Sequence, residues 1–375
     1  MQNDTYTQKI SELLSHADIE VNGDNPWDIQ VKNPDLFKRI IGQGSLGLGE
    51  AYMEGWWDAE ELDEFFYRVL IARLPSKIVT LRDKLFYVYA HLINRQTGKK
   101  AFEVGTQHYD VGNDLYERML DKHMMYSCGY WQDAKNLEEA QEHKLELICR
   151  KLQLKPGMRV LDIGCGWGGA ARYMAKNYDV EVVGISISQE QINLAKDRSE
   201  GLNVHYKFAD YHDLNEEFDR IYSIGMFEHV GFKNYEDYFK VANRCLKDEG
   251  LFLLHTIGFQ YTSEKVDPWI ERYIFPNSIL PSVELIGKHS GPYFKLEDWH
   301  NFGPDYVKTL LAWDENSNKA WPELPNYDEE FKRMWHYYLM CCAGSFKACN
   351  NHLWQMVFSK GLKTEPYVAV RSAVD

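Results

Sequence analysis

The chain is poor in several features, and each shortage narrows the reading. No run supplies the ~18 uninterrupted apolar residues of a membrane-spanning helix. The N-terminus, MQNDTYTQKISELL, is polar and carries no signal-peptide apolar core. Cysteine is limited to seven residues in 375, an odd number without a CxxC spacing. That argues against a disulfide framework and against a zinc site, so no metal is expected and the chain reads as cytoplasmic with reduced thiols. Internal repeats and low-complexity tracts are absent. Positive charge is outnumbered, with 42 Lys and Arg against 56 Asp and Glu and a net charge of −14. Such a balance argues against nucleic acid as a general partner.

The charge is unevenly spread. Up to Glu64 the chain is strongly acidic, whereas 65–100 carries Arg68, Arg73, Lys77, Arg82, Lys84, Arg95, Lys99 and Lys100 against Asp83 alone. Phe65, Phe66, Leu70, Ile71, Leu74, Ile78, Leu85, Phe86 and Leu92 interleave with these cations. A basic amphipathic stretch of this kind is what an anionic membrane surface attracts. An ordinary amphipathic helix packed on its own domain would read the same way.

A chain of 375 residues can bury a large core and suggests two domains. Residues 1–93 read as a small, mainly helical domain that meets lipid or an acyl chain, and 94–107 as a linker. In this part Ile10–His16 and Asn33–Gln43 are amphipathic, and GQGSLGLGEAYMEGWWD reads as a tight turn beside exposed Trp56 and Trp57. The remainder, 108–375, reads as a catalytic domain with an aromatic-rich C-terminal insert. After a helix over Leu137–Leu152, strands are expected at Arg159–Ile163, Glu181–Ile185, Val204–Phe208, Phe218–Ile224 and Leu251–His255. Helices start near Gly169, Ser188 and Tyr235. A further strand pair is expected near Phe294–Asp298 and Leu310–Trp313, and final helices over Tyr327–Cys349. Alternation of strand and helix predicts an α/β, doubly wound, Rossmann-like sheet.

Within that pattern, MRVLDIGCGWGG (158–169) runs from an apolar strand into a glycine-rich turn. Gly164, Gly166, Gly168 and Gly169 leave the turn bare, so a ligand can press against the start of the next helix. Dinucleotide enzymes use a near-identical turn, but they usually place an apolar residue where Asp162 stands. The pattern DxGxGxG resembles motif I of the class I S-adenosylmethionine (SAM) methyltransferases. That resemblance implies SAM contacts from Asp162, Gly164, Cys165 and Gly166. The second strand of such folds normally ends in an acidic residue for the ribose diol; here Ser186 stands there, followed by Ile187 and Ser188. Gln191, one turn into the helix, is the nearest side chain to share the task, and Ser188 also reads as a helix N-cap. Asp210 and Tyr211 stand where the adenine amine and ring face are usually met. The fourth and fifth strands end in GMFEHVG and LLHTIG, which brings Glu228, His229 and His255 to the carboxyl edge of the sheet, next to the glycine turn.

YSCGYW (126–131), VLDIGCGWGG, GISISQEQ, GMFEHVG, LLHTIG and WHNFGPDY (299–306) together resemble the bacterial cyclopropane-fatty-acyl-phospholipid synthases. VKNPDLFKRI, GSLGLGEAYMEGWWD, HYDVGNDLY, VDPWIERYIFPN and YYLMCCAGSF extend the similarity over nearly the whole chain. The resemblance implies transfer of the SAM methyl to a cis double bond of a phospholipid acyl chain, followed by proton removal to close a cyclopropane ring. It implies a bound bicarbonate ion as proton acceptor, with Cys128, Glu228, His255, the backbone of Ile257 and Tyr306 around it. It adds Tyr126 and Ser127 to the SAM contacts and points to Cys342 as a further catalytic candidate, although a helical cysteine among aromatics is usually core. It also implies a homodimer working peripherally on an anionic membrane surface. The alternatives are a SAM-dependent N- or C-methyltransferase of a soluble small molecule, and a lipid-binding protein that keeps the fold without the chemistry.

Overall fold

The computed structural model describes residues 2–77, 112–263, 266–362 and 364–374. The chain divides into two compact units that do not follow its linear order. The second comprises the described parts of 95–263, 277–305 and 352–375, and the first the described parts of 1–94, 264–276 and 306–351.

The second unit is built on a seven-stranded sheet: β1 (Arg159–Ile163), β2 (Glu181–Ser186), β3 (Val204–Phe208), β4 (Phe218–Ile224), β5 (Leu246–Gly258), β6 (Lys295–Asn301) and β7 (His352–Ser359). Their order across the sheet is β3-β2-β1-β4-β5-β7-β6. β1 to β5 pair in parallel, and β7 runs antiparallel to both β5 and β6. Side chains alternate between the two faces, as strand geometry requires. Leu161, Ile163, Val183, Ile185, Ile221, Phe252 and Leu254 enter one core with Tyr235, Tyr238, Phe239 and Ile286. Val160, Val182, Tyr222, Leu251 and Leu253 enter the other with Leu145, Ile148, Ala170, Met174 and Ile192. The sheet is therefore covered on both faces by helices, Tyr235–Cys245 and Val283–Ser290 on one side and Leu137–Lys151, Gly169–Tyr178 and Gln189–Asp197 on the other. Burial on both faces is why the central strands β2, β5 and β7 carry long apolar runs, whereas the edge strands β3 and β6 are more polar and exposed.

The expected strand at Leu310–Trp313 is absent: those residues lie in the helix Pro304–Ala320. A four-residue apolar run fits either element, and periodicity alone does not separate them. The strand that pairs with β6 is β7, near the C-terminus. Past β7 the tail is strapped back on the sheet, where Arg371 forks onto Asp298 and the Tyr130 hydroxyl donates to the Arg371 carbonyl.

The first unit joins the helices Gln2–Ser15, Leu36–Met53 and Leu62–Ile71 to Pro268–Tyr273 and Glu329–Lys347. The expected division made 108–375 a single body, whereas 264–276 and 306–351 group with the N-terminal helices. GSLGLGEAYM is helical rather than a tight turn, with the change of direction absorbed at Gly44, whose φ is +62°. Trp57 is fully buried, not exposed. Its indole N–H donates to the Leu48 carbonyl at 3.0 Å, and its ring meets Tyr52 at 5.1 Å and Phe65 at 5.2 Å. Phe65 and Phe66 are likewise buried, and Arg68 pairs with Glu64 and Asp18 and lies over the Trp27 ring. Over 65–71 the amphipathic stretch therefore packs on its own unit; its part from 78 to 100 and the linker at 94–107 lie outside the described residues. Among the described residues no helix is long and apolar enough to cross a membrane, and no cluster of side chains is set to hold a metal ion. None of the seven cysteines is in a disulfide.

Candidate active site

The glycine turn follows β1 directly. Gly164 adopts φ +93°, and a Cβ there would stand 2.7 Å from Met226. At Gly168, φ is +75° and a Cβ would stand 2.1 Å from the Tyr206 hydroxyl. Both positions demand glycine, for the backbone and for space. The amides of Gly164 and Cys165 bond to the Ile185 carbonyl at 3.1 and 2.9 Å, which locks the turn against the end of β2. Beneath it Asp162 is buried and accepts from the Tyr222 hydroxyl at 2.8 Å. Burial raises its pKa to about 7, and the Tyr222 bond opposes that rise.

At the end of β2 the Ser186 hydroxyl donates to Gln191 Oε1 at 3.1 Å and accepts from the Ser188 amide. Ser188 caps the helix Gln189–Asp197, its hydroxyl accepting from the Gln191 amide at 3.3 Å. A buried polar cluster thus stands where an acid is usual, and Ile187 leads the chain through it. Past β3, Asp210 caps the short turn Tyr211–Asp213 and contacts the His212 ring at 2.6 Å, and the Tyr211 ring stacks on His212 at 4.0 Å. On the other flank Tyr126 packs edge-on against Tyr116 at 5.1 Å. Ser127 is buried, held through its carbonyl by Gln141 at 2.8 Å and through its hydroxyl by the Lys144 ammonium at 2.9 Å. The bare turn and the buried hydroxyls and amide fit a nucleoside with a diol.

Glu228 and His255 reach the same edge of the sheet, His255 in register with Ile224 at the end of β4. Glu228 is buried; its Oε1 accepts the Ile257 amide at 2.8 Å and its Oε2 has no partner. Burial raises its pKa to about 7, against the bond from the Ile257 amide, which favours the charged form. His255 is buried and held neutral, chiefly by burial and further by the charges of Lys144 and Lys151. The Gln355 side-chain amide lies 3.3 Å from His255 Nδ1; assigned as donor, it puts the ring proton on Nε2, which has no partner. The Ile257 amide, expected to face the anion, is instead spent on Glu228 and holds that carboxylate. Cys128 is buried and donates to the Gly129 carbonyl at 3.1 Å. Buried polar atoms left unpaired are rare, and Glu228 Oε2 and His255 Nε2 fit a small anion with a hydroxyl, offered one acceptor and one donor.

Tyr306 and Cys342 belong to the first unit. Tyr306 is buried there with its ring 4.6 Å from Phe346. Cys342 lies half-buried in the helix Glu329–Lys347, next to Cys341, whose thiol donates to the Tyr338 carbonyl at 3.3 Å. Sequence reasoning passed over Gln355 and Lys144. Gln355 lies on a strand that was not foreseen, and Lys144 reads in the sequence as a solvated helix charge.

A doubly wound sheet in this order, with a bare glycine turn after its first strand, defines a class I SAM-dependent methyltransferase. Residues 96–356 match the family model of mycolic acid cyclopropane synthetase, and the chain belongs to that family. It is 58% identical over 369 residues to the cyclopropane-fatty-acyl-phospholipid synthase of Escherichia coli K12, spanning 98% of this chain and 97% of that one. Cyclopropane mycolic acid synthase 1 of Mycobacterium tuberculosis is 34% identical over 261 residues, 64% of this chain and 91% of the relative. Among solved structures, the cyclopropane synthase MmaA2 of M. tuberculosis aligns with a TM-score of 0.66 at 32% identity, covering 69% of this chain and 98% of that one. Coclaurine N-methyltransferase aligns at 0.68 with 23% identity, covering 84% and 99%, a likeness of fold alone.

Proposed function

We propose that this protein transfers a methylene from SAM to the cis double bond of an unsaturated phospholipid acyl chain, with bound bicarbonate as the proton acceptor. The observation that carries the reading is the pair of buried, unpartnered atoms at the sheet edge, Glu228 Oε2 and His255 Nε2. Similarity over almost the full length of the E. coli relative supports the lipid acceptor.

SAM supplies an electrophilic methyl group, and bicarbonate supplies a small base that does not trap a cation as a stable ester. Ser186 and Gln191 hold the ribose diol, Asp210 and Tyr211 meet the adenine, and Tyr126 and Ser127 close the opposite flank. Glu228, aimed by the Ile257 amide, would accept a hydrogen bond from the hydroxyl of the anion and leave the anion's basic oxygen free. His255, neutral and protonated at Nε2, donates to that anion without competing with it for the substrate proton. Cys128 is a further donor. An alkene is a weak nucleophile, so water has to be kept out while the partners align. The buried state of Cys128, Glu228 and His255 serves that need, and the protein meets the bilayer from its surface.

The test incubates the enzyme with methyl-labelled SAM and vesicles of an unsaturated phospholipid, followed by mass analysis of the lipid. The expected product is a lipid heavier by one methylene; label absent from lipid, or appearing on a soluble amine instead, overturns the reading. Removing bicarbonate and dissolved carbon dioxide should slow turnover, and indifference would remove the anion from the mechanism.

A further inference from the structure

Lys144 is fully buried on the helix Leu137–Lys151, and the mechanism above does not use it. A buried ammonium is costly unless it is paired. Its hydrogen-bond partners are neutral, Ser127 Oγ at 2.9 Å and Gln141 Oε1. Asp121, the carboxylate whose field reaches it, spends its oxygens on the amides of His123 and Met125 at 2.9 and 2.8 Å. The contrast is Lys151 on the same helix, equally buried but 3.6 Å from Asp298. Lys144 is thus a buried cation whose direct contacts carry no negative charge. It acts electrostatically on Cys128 and on His255, two of the groups assigned to the anion.

We propose that Lys144 is a positioning residue whose charge is completed by the small oxyanion held at Cys128, Glu228 and His255. The inference rests on the anion reading of the site and extends it by naming the counter-charge. The same ammonium, through Ser127 Oγ, fixes the loop that carries Cys128, so charge and geometry arrive together. Its reduced basicity, with the pKa lowered to about 8 by burial, is the counterpart of that missing negative partner.

The measurement is turnover against bicarbonate concentration in carbon-dioxide-depleted buffer, for the full-length wild type, Lys144→Met and Lys144→Arg. Lys144→Met is expected to raise the half-saturating bicarbonate by about tenfold or more, the low end for close buried charges. Turnover at saturating bicarbonate should largely recover, and Lys144→Arg should restore much of the lost affinity for bicarbonate. Should Lys144→Met not fold, Lys144→Gln keeps a donor for Ser127 without the charge and reads the same quantity. A half-saturation equal to that of wild type, with or without a fall in maximal rate, overturns the proposal and leaves the anion reading standing. A wild type indifferent to bicarbonate overturns both.

Discussion

Replacing Glu228 by glutamine separates what this carboxylate does for chemistry from what it does to stability. Its pKa is raised by burial from 4.5 to about 7. An acid whose pKa is raised on folding keeps its proton in the native state after the unfolded chain has lost it. Stability therefore falls as pH rises from about 4.5 to about 7, then stays level. Each pKa unit corresponds to 1.36 kcal/mol, so a shift of about 2.5 units withholds about 3 kcal/mol at pH 8. Glutamine has nothing to ionise, and its carbonyl oxygen can still accept the Ile257 amide. Glu228→Gln should accordingly equal wild type in stability near pH 4.5 and exceed it by about 3 kcal/mol at pH 8, read by urea denaturation at both values. In the same protein turnover should fall by about 10²- to 10⁴-fold, the ordinary contribution of proton-transfer catalysis, with SAM affinity unchanged within about twofold. A stability difference that does not change with pH would refute the buried-acid argument. Loss of SAM binding would refute the role assigned to the side chain.

Gly168→Ala places a methyl group against the Tyr206 hydroxyl at a positive φ, and should cost about 1–3 kcal/mol of stability together with SAM affinity; calorimetric affinity equal to wild type would count against the turn as a nucleoside cradle. Ser186→Ala removes one hydroxyl from the cluster with Gln191, and a rise in the SAM dissociation constant of about two- to tenfold is expected; an unchanged constant would move the diol contact elsewhere. Trp57→Ala empties the centre of an aromatic cluster and should destabilise the first unit by about 3–5 kcal/mol in denaturation, whereas a loss under 1 kcal/mol would mean that the cluster collapses without strain.

The parallel core was legible because its central strands are buried on both faces and end at glycine or serine, while β3, at the edge and mostly exposed, was legible from its place in the alternation of strand and helix. β1, β3 and β4 fall at the residues read from the sequence, and β5 extends beyond its expected ends. The placing of Glu228 and His255 at one edge of the sheet was legible for a topological reason: Glu228 follows the end of β4, and His255 is in register with Ile224 at that end. What failed depended on distant partners. Trp57 was placed at the surface because its neighbours are glycines and charges; Phe65, Tyr52 and Tyr337 bury it, and the last of these lies 280 positions away in the chain. Lys144 lies in QEHKLEL, where nothing local distinguishes a solvated lysine from an enclosed one. The first unit could not be read as a domain because its segments interrupt those of the second.

β7 lies between β5 and β6 although it is made after both. During synthesis β1 to β3 and the turns between them, residues 159–211, leave the ribosome before β4 to β7 and can begin to pair. Gln355, whose side-chain amide lies 3.3 Å from His255 Nδ1, arrives on the last strand, after every other strand of the sheet has been made. A nascent chain can thus form the glycine turn and its flanking strands well before the strand that faces His255 exists. The last strand supplies the side chain that faces His255, and a chain that ends before His352 lacks it.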